Sequence, residues 1–496
     1  MIPLSLREIA SITGGVLVNP GAAEHRIIGN VEFDSRKINP GDLFLAIPGA
    51  RVDGHDFLDQ VAAQGAVAAL VARPIPDAPL PVIQVPLQEA RTDSYANAHD
   101  SDGSVNAILH ALAALAGAVV RRLQAEGLVV IGLTGSAGKT STKDMLACVC
   151  GAVAPTVAPA GSFNNEIGHP YTALKVTEDT RYLVAEMSAR GLGHVAQLAT
   201  ISPPNVGVEL NVGTAHLGEF GSQDVIAQAK GELVEALPSD GVAVLNADDP
   251  NVWGMRTRTQ AAIWAYTTKE LHAELQEVAE VVIAATNITF DALARPGFDV
   301  QVIHGGKVTE RTHLQLGVVG EHQVANALAA LAGGLAAGVE FADAIAALAN
   351  HTTRSPHRME LIERAGIHVL DDAYNANPES MYAGLKAAQR FAQESGELYV
   401  ILGPMNEAGE SATHTHFEIG EALASYGVAG AVILDVNADS AAYIQGAQAS
   451  GVAVQRVTSA EEAGKVLASK LQAGDVVYLK ASNSFQLWNA ITELRE

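Results

Sequence analysis

Short apolar runs broken by turn residues fill the first 85 positions. Asp42-Leu43-Phe44-Leu45-Ala46-Ile47 and Val67-Ala68-Ala69-Leu70-Val71 suggest strands, with Pro48-Gly49 and Pro74 as punctuation. The pattern then lapses. Residues 87–104 are polar, rich in Asp, Ala, Asn and Ser, and after Leu87 almost free of large apolar side chains. Such a stretch predicts a linker or exposed loop, with a domain boundary near residue 100. A helical pattern of small apolar residues runs from Val105 to about Gln124. Gly127-Leu128-Val129-Val130-Ile131-Gly132-Leu133 follows as an unbroken run, the kind buried on both faces of a parallel sheet.

From there to about residue 350, strand-like runs at 182–187, 206–212 and 242–245 alternate with helical stretches. The last third repeats the rhythm. Strands are predicted at 367–370, 398–402, 431–434, 452–457 and 476–479, and helices at 381–393 and 460–471. This alternation is the signature of α/β architecture with largely parallel sheets. Residues 351–356 mark a second junction, so three domains are expected, at 1–103, 104–350 and 351–496. The 496 residues, at about 150 per domain, lead to the same count. Ala richness is general, without an internal repeat.

Composition narrows the function classes. Hydrophobic residues make up 48 % and charged residues 17 %, so the chain can bury large cores. Lys and Arg number 31 against 55 Asp and Glu, a net charge of −24. Bulk attraction to nucleic acid is thereby disfavoured, and any bound phosphate must be held by local geometry. Two cysteines, Cys148 and Cys150, exclude a disulfide framework and a four-Cys zinc site, and suggest buried thiols in a reducing compartment. The start, Met-Ile-Pro-Leu-Ser-Leu-Arg-Glu-Ile-Ala, lacks the continuous apolar core of a secretory signal. The longest apolar stretch, 107–120, contains His110 and is short for a bilayer span. A cytoplasmic protein without a membrane span is expected.

The sharpest chemical signal is Thr134-Gly135-Ser136-Ala137-Gly138-Lys139-Thr140-Ser141, directly after a buried strand and before a helical pattern. A phosphate-cradling loop needs that context. Glycines let backbone N–H groups turn inward, the helix N-terminus adds donors, Lys139 brings a point charge and Thr140 a magnesium ligand. Leu133 stands where the strict pattern has its first Gly. No guanine-reading Asn-Lys-x-Asp occurs, which favours ATP, and neither α/β unit opens with the G-x-G-x-x-G of dinucleotide oxidoreductases. Glu186 closes a strand predicted parallel to that of the phosphate loop, where ligand sites collect and a hard cation finds oxygen donors. His216 follows the 206–212 run in the same manner. Lys230, in Ala229-Lys230-Gly231-Glu232, suggests by itself a solvated helix lysine.

Together these motifs resemble the ATP-dependent Mur ligases of bacterial cell-wall synthesis, with matching pieces along the whole chain. Asp34-Ser35-Arg36, Gly41 to Phe44 and Asp53 to Phe57 resemble the family's UDP-sugar-binding domain. The phosphate loop, Asn164 to Gly168, Glu186, Asn211 to His216, Gly218 to Gly221 and Ala229 to Glu232 resemble its central ATPase. Gly320 to Asn326 is similar to an element near adenine. Asp371-Asp372-Ala373-Tyr374-Asn375-Ala376-Asn377-Pro378 takes the form carried by the branch that adds D-alanyl-D-alanine. The branch adding diaminopimelate or lysine usually has a His there and a Thr-Asn-Gly-Lys phosphate loop, neither of which is present.

The resemblance implies a small N-terminal UDP-binding α/β domain, a central P-loop ATPase with a mostly parallel sheet, and a C-terminal Rossmann-like α/β domain holding the incoming dipeptide. It implies a cytoplasmic monomer that joins D-alanyl-D-alanine to UDP-N-acetylmuramoyl-tripeptide through an acyl phosphate, using ATP and two Mg²⁺. Thr140, Glu186, His216 and Lys230 would be metal ligands. Lys230 matches a lysine that is often carbamylated, which makes chemical sense: an ammonium is repelled by two Mg²⁺, whereas its CO₂ adduct is an anionic oxygen ligand. Arg358 would reach the nucleotide phosphates, Asn326 the adenine, and Asp372 and Asn375 the nucleotide as well. Ser35 and Arg36 would contact the UDP moiety, and Asn164, Asn165 and Asn377 the substrates. Gln323, Pro404, Ala481 and Asn483 depart from the family pattern, the last three in the domain that holds the dipeptide. A sister ligase adding diaminopimelate, a folate-type polyglutamate ligase and an ATP-binding switch protein remain alternatives at this point.

Overall fold

The computed structural model describes residues 1–92, 96–214, 217–406 and 409–494. Two units make up the chain. The first comprises Met1–Leu133, Ala154–Asn205 and Ala236–Pro238, the second Thr134–Val153, Val206–Glu235 and Ser239–Glu496.

The first unit begins with a five-stranded sheet in the order Val16–Leu17, Val82–Gln84, Ala68–Val71, Leu43–Leu45 and Val31–Glu32, parallel except for its first strand. The two runs that the hydrophobic pattern singled out are its buried centre. Phe44, Ala69 and Val71 pack there against Leu58 and Val61 of helix Leu58–Ala63. A second group of strands places Tyr182–Glu186 between Val129–Thr134 and Thr156–Val157, all parallel, so Glu186 ends a buried strand as expected.

The expected linker at 87–104 is only half exposed. Ala96, Asn97 and Asp100 are buried. Asp100 caps the following helix: its Oδ1 accepts from Gly103 N at 3.0 Å and its Oδ2 from Asn106 N at 3.0 Å, amides that the first turn leaves without partners. That helix, Ser104–Gln124, also exceeds the apolar stretch expected. Its 21 residues are long and apolar enough to cross a membrane by length and composition, yet 61 % of its most apolar window is buried inside the protein, through residues such as Ile108, Leu112, Leu115 and Val119.

In the second unit, Val206–Glu209, Val242–Asn246, Ala262–Thr267 and Val281–Phe290 run parallel in chain order. Pro296–His304 and Lys307–Gln315 then extend this sheet antiparallel, an addition the α/β rhythm did not announce. The two-residue turn Gly305-Gly306 joins them, with φ 55° and 74°. Both values lie in the left-handed region that right-twisted hairpins need and glycine supplies. The remainder is a six-stranded sheet in the order Glu360–Arg364, Ile367–Asp371, Val476–Lys480, Leu398–Leu402, Val428–Leu434 and Ala453–Val457. Only its first pair is antiparallel. Helices Pro378–Ser395, Ala412–Ala422 and Ala438–Ala449 cover one face and Ala460–Ala468 the other. Because the last strand inserts between the second and third, Lys480 arrives beside Asp371-Asp372. The architecture is therefore α/β with mostly parallel sheets.

Candidate active site

The phosphate loop is braced by Asn211, and Asn326 approaches it closely at Gly138. Asn211 O accepts from Ser136 N (3.0 Å), its Oδ1 accepts from Ala137 N (2.8 Å), and its Nδ2 donates to Ala137 O (3.0 Å). Gly213 N donates to Ser136 Oγ at 2.9 Å, and Leu210 N to Thr134 O at 3.0 Å. Close approach explains two of the glycines. A Cβ on Gly135 would stand 2.7 Å from Leu210 Cβ. One on Gly138, where φ is 81°, would stand 2.5 Å from Asn326 Oδ1. Helix Lys139–Gly151 starts directly after Gly138, with Thr140 buried and Ser141 half-buried in its first turn. Lys139 Nζ folds back onto Gly135 O at 2.5 Å.

Asn326, expected at the adenine, stands close to Gly138 of the phosphate loop. It donates from Nδ2 to Gln323 Oε1 at 2.9 Å on the buried face of helix His322–Ala336. Gln323, one of the departures, is thus the partner that orients Asn326.

Lys230 is not the solvated lysine that its sequence context alone suggested. It closes helix Gln223–Lys230 and is buried. Burial and then the charge of Lys139 push its ammonium towards the neutral form, while Glu209 opposes this. Glu209 went unnoticed in the sequence, although a charged residue inside the apolar run 206–212 was a signal. Fully buried, it has no hydrogen bond to either carboxylate oxygen among the described residues, and burial raises its carboxyl above the usual range. His216 lies outside the described residues.

The same unit holds the C-terminal candidates. Asp372, expected at the nucleotide, is tied to the buried Lys480, whose Nζ bonds its carboxylate and also Asn375 O at 2.9 Å. Asn375 itself is exposed. Arg358 lies over the Tyr374 ring, 4.3 Å from its centroid, between His357 and Met359, which both have positive φ (60° and 51°). Backbone held there in non-glycine residues marks a constrained segment. Asn377 caps helix Pro378–Ser395 by accepting from Ser380 N at 2.9 Å. The segments that carry the departures Pro404 and Ala481 meet each other. Ser482 N donates to Pro404 O at 3.1 Å, Asn406 N to Ser482 Oγ at 2.9 Å, and Ala481 packs on Gly403. Among the described residues, His357, Glu360 and Asp371 are the set of three potential metal donors lying within 4.8 Å of one another. The 2.6 Å between His357 Nδ1 and Asp371 Oδ2 is a hydrogen-bond length.

In the first unit, Glu186 Oε1 accepts from Asn164 Nδ2 at 2.6 Å, joining a predicted metal ligand to a predicted substrate residue. Asn165 caps helix Gly168–Ala173 through Gly168 N at 2.9 Å. Glu32, which the sequence reading did not single out, organises the turn before Ser35 and Arg36. It accepts from Phe33 N (2.8 Å), Asp34 N (2.9 Å) and Tyr171 Oη (2.9 Å). The exposed Arg36 pairs with Asp34 at 2.8 Å and holds that carboxyl down at about 2. In Asp53-Gly54-His55, Asp53 accepts from His55 Nδ1 at 2.6 Å, leaving Nε2 to accept from Ala72 N at 3.0 Å. That motif is a lock on the sheet.

A phosphate loop, a buried lysine and a Rossmann-like C-terminal sheet are features of the class of phosphate-loop α/β proteins. Residues 27–119 match the Mur ligase family catalytic domain, 133–334 the Mur ligase middle domain, and 357–483 the Mur ligase glutamate ligase domain. The chain belongs to the Mur ligase family. It is 44 % identical to UDP-N-acetylmuramoyl-tripeptide–D-alanyl-D-alanine ligase of Mycobacterium tuberculosis, over 98 % of this chain and 96 % of that one. Among solved structures it is similar to MurF from Acinetobacter baumannii, with TM-score 0.82 and 28 % identity over 99 % of this chain and 98 % of that one. It is also similar to MurF ligase from Thermotoga maritima in complex with ADP, with TM-score 0.74 and 25 % identity over 94 % and 97 %.

Proposed function

We propose that this protein is the ligase that joins D-alanyl-D-alanine to UDP-N-acetylmuramoyl-tripeptide in peptidoglycan synthesis, at the expense of ATP. The observation that carries this reading is the braced phosphate loop Thr134–Ser141 in a chain 44 % identical, nearly end to end, to a ligase of that name. The proposed division is residues 1–103 for the UDP-sugar substrate, 104–350 for ATP and 351–496 for the dipeptide, in a cytoplasmic monomer.

A carboxylate is a poor electrophile, because its charge is delocalised and its leaving group would be oxide. Transfer of the γ-phosphoryl group from ATP to the tripeptide carboxylate gives an acyl phosphate and ADP. The dipeptide amine attacks its carbonyl carbon, the C–O bond to phosphate breaks, and the amine proton is lost to solvent. Phosphoryl transfer asks the protein for positioning and charge neutralisation. Lys139 and Arg358 supply the fixed positive charge. Asn326 meets the adenine edge, Ser35 and Arg36 bind the UDP end, and Asn164, Asn165 and Asn377 align the substrates. Asp372 and Asn375 complete the nucleotide side.

The donor set suits hard cations. Thr140 is a buried hydroxyl in the first helical turn, and Glu186 is a buried carboxylate at a strand end. With His216 and Lys230 they would hold two Mg²⁺, which neutralise the phosphate charge. Burial weakens the hold of Lys230 on its proton. The neutral amine is the form that reacts with CO₂, which supports a carbamate there. A ligation assay that varies acceptor and amine independently tests the reading. Phosphate release should require ATP, the tripeptide and D-alanyl-D-alanine together, and release that depends instead on diaminopimelate or glutamate overturns it.

A further inference from the structure

The mechanism leaves a half-buried carboxylate of the C-terminal sheet region without a task. Glu379 stands at the second position of helix Pro378–Ser395, after the Asn377 cap and Pro378. Its Oε1 accepts from Thr214 N at 2.6 Å and from Thr214 Oγ1 at 2.8 Å. Its Oε2 is buried and has no hydrogen-bond partner among the described residues. A carboxylate with one oxygen shut away from water and unpartnered is costly, and the helix N-terminus offsets only part of that cost. The local backbone is shaped to admit it, since a Cβ on Gly213 would stand 2.7 Å from Glu379 Oε1.

Thr214 belongs to the short loop that begins at Asn211. The same loop binds Ser136 and Ala137 of the phosphate loop, through Asn211 and through Gly213 N. In sequence it is followed, two residues later, by His216. One loop thus touches the phosphate-binding backbone on one side and the first turn of a C-terminal-domain helix on the other.

We infer that Glu379 and Thr214 form a latch, through which the dipeptide-binding domain sets the Asn211–Thr214 loop, and with it the phosphate loop, in its working position. Glu379 is a positioning residue, acting through Thr214 and Gly213. This inference rests on the ligase reading above.

The test uses the full chain with ATP, UDP-N-acetylmuramoyl-tripeptide and D-alanyl-D-alanine, and follows amide product and ADP separately. Glu379→Ala should lower kcat about 100-fold, the scale of a roughly 1 Å misplacement, with KM for ATP changed less than about threefold. Glu379→Gln keeps an acceptor at Oε1 and should restore most of the turnover. Thr214→Val keeps the backbone donor and should cost about 3- to 10-fold, and the double variant should be no worse than Glu379→Ala alone. Ser380→Ala disturbs the same helix start without touching Thr214 and serves as the control for folding. The latch is overturned if Glu379→Ala turns over like wild type, if the two sites prove additive, or if Ser380→Ala reproduces the loss together with a lower unfolding temperature. If the wild-type chain hydrolyses ATP without forming amide, the ligase reading fails, and the same variants measured on hydrolysis still decide the latch.

Discussion

At the scale of single residues, the site is governed by polar groups taken out of water and then given partners. Lys139 lies along its own loop carbonyls, so a triphosphate must draw it outward. Lys139→Ala should reduce ligation about 10²- to 10³-fold, as for loss of a donor that stabilises transferring charge, with little change in thermal unfolding. His169 offers a pH signature. Burial holds its imidazole down to about 4, opposed by the backbone oxygens of Glu186 and Leu198. Unfolded, the ring takes a proton near 6.5, so the unfolded chain binds more protons between these values. Stability is full above about 6.5 and falls as the pH drops towards 4, by roughly 3 kcal/mol for this group. Unfolding midpoints measured across that window should fall less steeply in His169→Leu than in wild type.

At the scale of elements, the parallel strands were legible because each is a continuous apolar run between turn residues. The phosphate loop was legible because its glycines and lysine are fixed by backbone geometry. Lys307–Gln315 was not, since its side chains are mostly exposed and the two-residue period barely shows. Its Gly-Gly turn was the available clue. Asp100, Glu209 and Glu379 were illegible for a different reason: partners or packing elsewhere in the fold decide whether a carboxylate can be drawn out of water. Asn377 had a cap's sequence signature, an Asn before Pro, alongside its expected substrate role. At Gly305-Gly306, a double change to Ala should cost about 2–4 kcal/mol, at 1–2 per left-handed residue, read as a lower denaturation midpoint with ligation preserved in the folded fraction. Gly138→Ala should do the reverse. The clash with Asn326 distorts the loop, so nucleotide binding measured by calorimetry should be lost while the fold persists.

For the whole molecule, a net charge of −24 meets substrates that are themselves anionic. Long-range repulsion is screened at about 0.15 M salt, where the Debye length is about 8 Å, and extends to about 30 Å at 0.01 M. Stopped-flow association of ATP should therefore be slower at the lower ionic strength, opposite to the behaviour of a basic nucleotide-binding protein. The pairing of Pro404 with Ser482, and of Gly403 with Ala481, reaches further than its local geometry. Two segments some eighty residues apart in sequence behave as a single interlocked part. A chimera made to alter amine preference must exchange both segments at once, because a donor's version of either one alone would meet the wrong mate.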